Sequence, residues 1–123
     1  MLKSTEVTKF MLELLMTVKL YHWNTKSYST HKATDDLYSS LNDNIDKFIE
    51  VYMGTMEKHV NLGENAKLLV HTHTTPERFK KYILRAKTYL EHIKLPQQST
   101  DLYNIRDEIL GDINKFIYLL SLN

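Results

Sequence analysis

Apolar residues recur at three- and four-residue steps along most of the chain, and the stripes they draw predict four helices. The first stripe is Val7, Met11, Leu14, Leu15, Val18 and Tyr21. Its helix is expected to start at Ser4, with Glu6 in the first turn, and to run to about Asn24. Thr25 to Ser29 reads as a short turn between antiparallel helices. The second stripe is Leu37, Leu41, Ile45, Phe48 and Tyr52, in a helix beginning near Ser29 or Thr30 and reaching Tyr52 or beyond, with Gly54 a candidate end. The third is announced by Thr74-Thr75-Pro76-Glu77, with Thr74 as the expected cap. It carries Phe79, Tyr82, Ile83, Ala86, Leu90 and Ile93, and Pro96 stops it. The fourth follows Ser99 or Thr100 and presents Leu102, Ile105, Ile109, Ile113, Phe116 and Leu120. Residues 55–75 show no such period and are expected to form a connection with at most one short helix. Four helices and no alternating strand pattern predict an all-α four-helix bundle, a single domain over residues 1–123.

Composition narrows the function more than the fold. Sixteen basic residues against fifteen acidic ones give no global pull toward nucleic acid or membrane. The absence of cysteine excludes disulfides, thiolate metal clusters and cysteine nucleophiles. No apolar run approaches a membrane span and no signal peptide is visible, so a soluble, cytoplasmic protein is expected.

The polar side of the second helix departs from a plain solvated face. His31 and Asp35 lie one turn apart, as do Asp46 and Glu50, in an arc of about 100° beside the apolar stripe. The two pairs are separated by roughly 16 Å of helix at about 1.5 Å per residue, too far for one ion with bonds of about 2.0–2.2 Å. A two-fold axis passing between Ser40 and Leu41 resolves this. Two antiparallel copies of the helix would set His31 opposite Glu50 and Asp35 opposite Asp46, twice, as an isologous interface demands. The expectation is a metal centre completed between subunits. Singly, each residue has a blander reading: His22 as a hydrogen-bonded packing residue at the edge of the first stripe, the others as surface polar groups.

His22-Trp23-Asn24 followed by His31, Asp35, Asp46 and Glu50 resembles the ferroxidase signature of the Dps proteins, the dodecameric mini-ferritins. The resemblance covers Val18 to Glu50. It implies a ferritin-like bundle in which one subunit supplies His22, His31 and Asp35 to the metal and its two-fold mate supplies Asp46 and Glu50. It implies oxidation of Fe(II) by hydrogen peroxide or oxygen, for iron storage and oxidative protection. Trp23 resembles the tryptophan oxidised beside the iron centre, and reads equally as a core or interface aromatic. The implied partners are copies of the same chain, a two-fold dimer at minimum and a dodecamer at most. Imidazole and carboxylate donors without thiolate suit iron, and also zinc or manganese. The chain departs from Dps in a shorter turn after the HWN motif, in Val51 where an arginine usually follows the glutamate, and in lacking a lysine-rich N-terminal tail. DNA condensation through such a tail is therefore not expected. Asp101 to Leu120 is similar to a small uncharacterised helical family encoded by viruses, which would place the protein in a virion or host cytoplasm. The rival expectation is a structural or interaction protein that keeps the helical dimer and uses any metal only to clamp subunits.

Three weaker groupings complete the reading. His59, His71 and His73 could gather a second metal or form a plain polar connection. Glu108 and Asp112 could line an internal carboxylate site or pair locally with Arg106 or Lys115. Lys80, Lys81, Arg85 and Lys87 read as a solvated face of the third helix.

Overall fold

The computed structural model describes residues 3–122 as four helices: α1 (Ser4–Asn24), α2 (Tyr28–Met56), α3 (Pro76–Glu91) and α4 (Thr100–Leu120). No strand occurs among the described residues. The apolar stripes fold inward as one core. Val7, Met11, Leu14 and Val18 of α1 meet Leu41 and Phe48 of α2, Phe79, Ile83 and Leu90 of α3, and Leu102, Ile109 and Ile113 of α4, all fully buried. At about 25 cal/mol per Å² of apolar surface removed from water, this burial is the main force assembling the helices.

Pairwise contacts fix the directions of the helices. Phe10 stacks on Tyr89 and Tyr21 on Phe79, so α1 runs antiparallel to α3. Phe79 meets Phe116 edge-on and the Arg106 guanidinium donates to the Leu90 carbonyl, so α3 runs antiparallel to α4. The turn after Asn24 makes α1 and α2 antiparallel. The consecutive helices α2 and α3 therefore run parallel and can be joined only by a connection returning along the bundle. Residues 57–75 make that crossover, tied to α1 by Leu69 N–H donating to the Glu13 carboxylate (2.6 Å) and His71 N–H to the Thr17 hydroxyl (3.5 Å). The result is a four-helix bundle with one long crossover connection.

Helix boundaries differ from expectation at several points. α1 is preceded by Lys3, which gives no side-chain cap, rather than capped by Ser4. α2 begins at Tyr28, because the Ser27 hydroxyl accepts from Thr30 N–H, and so the turn is shorter than Thr25–Ser29. It runs through Gly54 and stops at Glu57, whose backbone turns left-handed (φ 53°). Thr75, not Thr74, caps α3 by accepting from Arg78 N–H. α3 ends at Glu91, before Ile93 and Pro96, and both Ile93 and Leu95 still pack into the core. The crossover contains no helix.

Candidate metal centre

The α1–α2 turn carries two histidines in a reciprocal arrangement. His22 Nδ1 lies 2.8 Å from the His31 carbonyl oxygen, and His31 Nδ1 lies 2.8 Å from the His22 carbonyl oxygen. A carbonyl oxygen only accepts, so both Nδ1 atoms carry hydrogen and donate. Each neutral ring then keeps its lone pair on Nε2. The rings stack with centroids 3.9 Å apart. His22 also donates to the Thr34 hydroxyl at 3.0 Å, and that hydroxyl in turn donates to the Thr30 carbonyl at 2.8 Å. Thr34 is fully buried and His22 nearly so, whereas His31 is exposed. Metal-binding histidines characteristically donate their second ring nitrogen to a carbonyl or carboxylate, which fixes tautomer and orientation. His22 and His31 already have that support from the backbone. Thr34 is the residue missed from the sequence. Its one signal is a small polar side chain one turn after Thr30, on the side of α2 that meets α1.

The carboxylates stand on the outer side of α2. Asp35, Asp46 and Glu50 are exposed, as are Ser39 and Asn42 between them. The ion pair present among the described residues joins Arg106 to Asp107 (2.8 Å), so no described cationic side chain is paired with any of the three carboxylates. Ser39 and Asn42 obey the same symmetry as the flanking pairs. An axis between Ser40 and Leu41 sets them opposite each other, so the whole exposed stripe His31, Asp35, Ser39, Asn42, Asp46, Glu50 is self-complementary when reversed. Within one chain these donors do not converge: no group of three or more His, Asp or Glu positioned for a metal occurs among the described residues. The donor set fits a hard or borderline divalent cation, with imidazole and carboxylate oxygen as ligands.

Trp23 is 66% exposed beside this stripe, so it is not a core aromatic. Lys19 Nζ lies 5.8 Å from its ring centroid and 4.6 Å from that of Tyr38, which places the α1 surface bearing Met16, Lys19 and Trp23 next to the outer side of α2.

The weaker groupings resolve differently. Asp112 accepts from the Asn44 side chain at 2.8 Å, and burial raises its carboxyl above the ordinary range despite that bond. Arg106 pairs with Asp107 rather than Glu108. His71 and His73 come together on the crossover with ring centroids 5.7 Å apart, but cationic side chains of α3 surround them and His59 does not line their cleft.

A family model described as "Family of unknown function (DUF5856)" matches residues 22–120. The chain belongs to that family. The match begins at His22 and so takes in all five expected metal ligands. An uncharacterised 14.6 kDa protein from the mobD-ri intergenic region of Enterobacteria phage T4 is 51% identical over 47 residues, or 35% of this chain. That alignment spans 37% of the phage protein's own length. No solved structure matches. Among the described residues, no helix is long and apolar enough to cross a membrane.

Proposed function

We infer that two copies of this chain pair through the outer sides of their α2 helices and bind Fe(II) between them, oxidising it in the manner of a Dps-like mini-ferritin. The observation that carries this reading is the exposed, self-complementary stripe on α2 ending at a histidine pair whose Nδ1–H groups are already engaged. His22, His31 and Asp35 of one subunit would face Asp46 and Glu50 of the other, and each half-site lacks what the partner supplies. The exposed Met16 and Trp23 offer apolar surface beside the stripe for the same interface. The single-crossover topology is compatible with this reading.

Ferrous iron is the substrate, and carboxylate oxygens favour the ferric product. Each ferrous ion gives up one electron. Two such ions supply the pair that cleaves a peroxide O–O bond, and the oxygens leave as water after taking protons from solvent. The chain's own contribution is to fix the imidazole tautomers, hold carboxylates that pair with no cationic side chain among the described residues, and exclude bulk water once the partner is seated. Trp23 stands within reach of that interface as an oxidisable ring.

The test combines sedimentation analysis, iron content after anaerobic loading, and stopped-flow absorbance on adding peroxide. A dimer or larger assembly with about two irons per dimer is expected, together with ferric product that the Asp46→Ala/Glu50→Ala variant does not form. A monomer, or ferric product formed equally fast by that variant, refutes the reading. A dimer indifferent to chelator and without turnover would instead favour the rival structural role.

A further inference from the structure

The crossover lays His71 and His73 against one side of α3. The junction forms a cleft of about 290 Å³ lined by His71, Thr72, His73, Arg78, Lys81 and Arg85. Three of these side chains are cationic, two are imidazoles, and among the described residues no carboxylate lines the space. This happens in a chain whose charges otherwise nearly balance, sixteen basic against fifteen acidic. Arg78, Lys81 and Arg85 follow helical spacing and share one side of α3. The imidazoles are placed by aromatic packing: each ring centroid lies 5.4 Å from that of Tyr82, over which the Arg85 guanidinium sits at 5.9 Å. His73 Nδ1 is buried and has no hydrogen-bond partner among the described residues, a costly arrangement for an imidazole nitrogen.

Three cationic side chains make this cleft repellent to a metal ion, which argues against the second metal site that His59, His71 and His73 suggested. They make it attractive to an anion. We propose that the cleft is a phosphate-binding site, in which Arg78, Lys81 and Arg85 neutralise a phosphate-bearing ligand and His71 and His73 donate hydrogen bonds to it. Arginine forks match phosphate oxygens in geometry, and lysine adds a point charge. A single carboxylate would leave most of the positive charge uncompensated, whereas a di- or polyphosphate, or consecutive phosphodiesters, would balance it. The electrostatics of His73 agree: burial first, then His71, Arg85 and Arg78, hold its pKa below the ordinary value. The acidic group facing this junction is Glu13 of α1, engaged by Leu69 N–H. An anion in the cleft would reverse the charge part of that shift and raise the His73 pKa.

A free polyphosphate and a nucleic-acid backbone present the same chemistry, and the experiment separates them. Calorimetric titration with pyrophosphate and fluorescence anisotropy with a labelled single-stranded oligodeoxynucleotide are run on three proteins. These are the wild type, Arg78→Gln/Arg85→Gln, and the charge-matched Lys80→Gln/Lys94→Gln outside the cleft. Saturable binding that the cleft variant weakens on the order of tenfold or more, and the control by less than about twofold, supports the site. Binding of pyrophosphate alone identifies a small phosphorylated ligand, and binding of the oligonucleotide alone identifies the backbone. Equal weakening in both variants, or no binding of either probe, overturns the proposal. Histidine proton NMR gives an independent readout: the His73 resonance should titrate at higher pH with pyrophosphate present, and an unmoved titration counts against the cleft.

Discussion

Two histidine pairs in this molecule have opposite surroundings. His22 and His31 stack at 3.9 Å, each Nδ1–H held by the other's carbonyl, with Asp35 one turn further along α2. His71 and His73 sit 5.7 Å apart on an irregular segment, one of them with a buried, unpartnered nitrogen, among Arg78, Lys81 and Arg85. The first pair is fixed as a lone-pair donor next to carboxylates, which suits a cation. The second is a set of hydrogen-bond donors among cations, which suits an anion. Histidine content alone therefore says little. What a histidine can bind depends on which ring nitrogen the fold has already engaged and on the sign of the charges around the other.

The sharpest way to break this contrast is to remove one ring from each pair. His22→Ala should lower the rate of ferrous oxidation on the order of 100-fold, and cost about 1–3 kcal/mol of stability through lost buried hydrogen bonds. His73→Ala should leave that rate unchanged. Equal rates for the two variants in stopped-flow absorbance would mean that the pairs do not differ in the way described. The next effect concerns the support beneath His22. Thr34→Val removes the hydroxyl that accepts from Nδ1 while keeping its shape, and iron affinity measured by competitive chelation should fall roughly tenfold. An unchanged affinity would reduce Thr34 to a packing residue.

A smaller effect separates the pairs by stability. His73→Phe replaces an unpartnered buried nitrogen with an apolar ring against Phe79 and Tyr82. Urea unfolding should find it within about 0.5 kcal/mol of wild type, or more stable. The smallest effect is on pH dependence. Because burial and neighbouring cations depress the His73 pKa from its ordinary 6.5, the unfolded chain binds this proton more readily than the folded one. Stability contributed by the neutral ring is therefore full above about pH 6.5 and declines as pH falls toward the depressed value. The His73→Phe variant should show a flatter stability profile over that range, and an identical slope would remove the assignment.

Much of the bundle was legible because periodicity reports burial directly. Leu37, Leu41, Ile45, Phe48 and Tyr52 are all buried, and His31, Asp35, Asp46 and Glu50 in the neighbouring arc are all exposed. Helix ends were less legible, because adjacent residues offer the same chemistry. Ser27, Ser29 and Thr30 all carry hydroxyls, as do Thr74 and Thr75, and only backbone geometry selects the one that caps. Gly54 looked like a stop, yet the left-handed turn falls on Glu57. The two sites were legible to different degrees for a related reason. The α2 stripe lies on one helix, so its spacing can be read along the chain. The cleft at His73 exists only once the crossover folds back onto α3, which local sequence does not encode. Nor did it indicate that His22 and His31 would exchange hydrogen bonds with each other's backbone.

That exchange does more than hold a tautomer. It bolts the start of α2 to the end of α1, so imidazole orientation is settled when the hairpin folds rather than when a ligand arrives. In the centre proposed above, an arriving ion would therefore freeze few motions on the histidine side, and the flexible adjustment would fall to the Asp46 and Glu50 that a second copy would supply. Capture would then be quick at the rings and tunable at the acids, a division of labour that would let one half of the proposed centre stay rigid while the other accommodated a change of oxidation state.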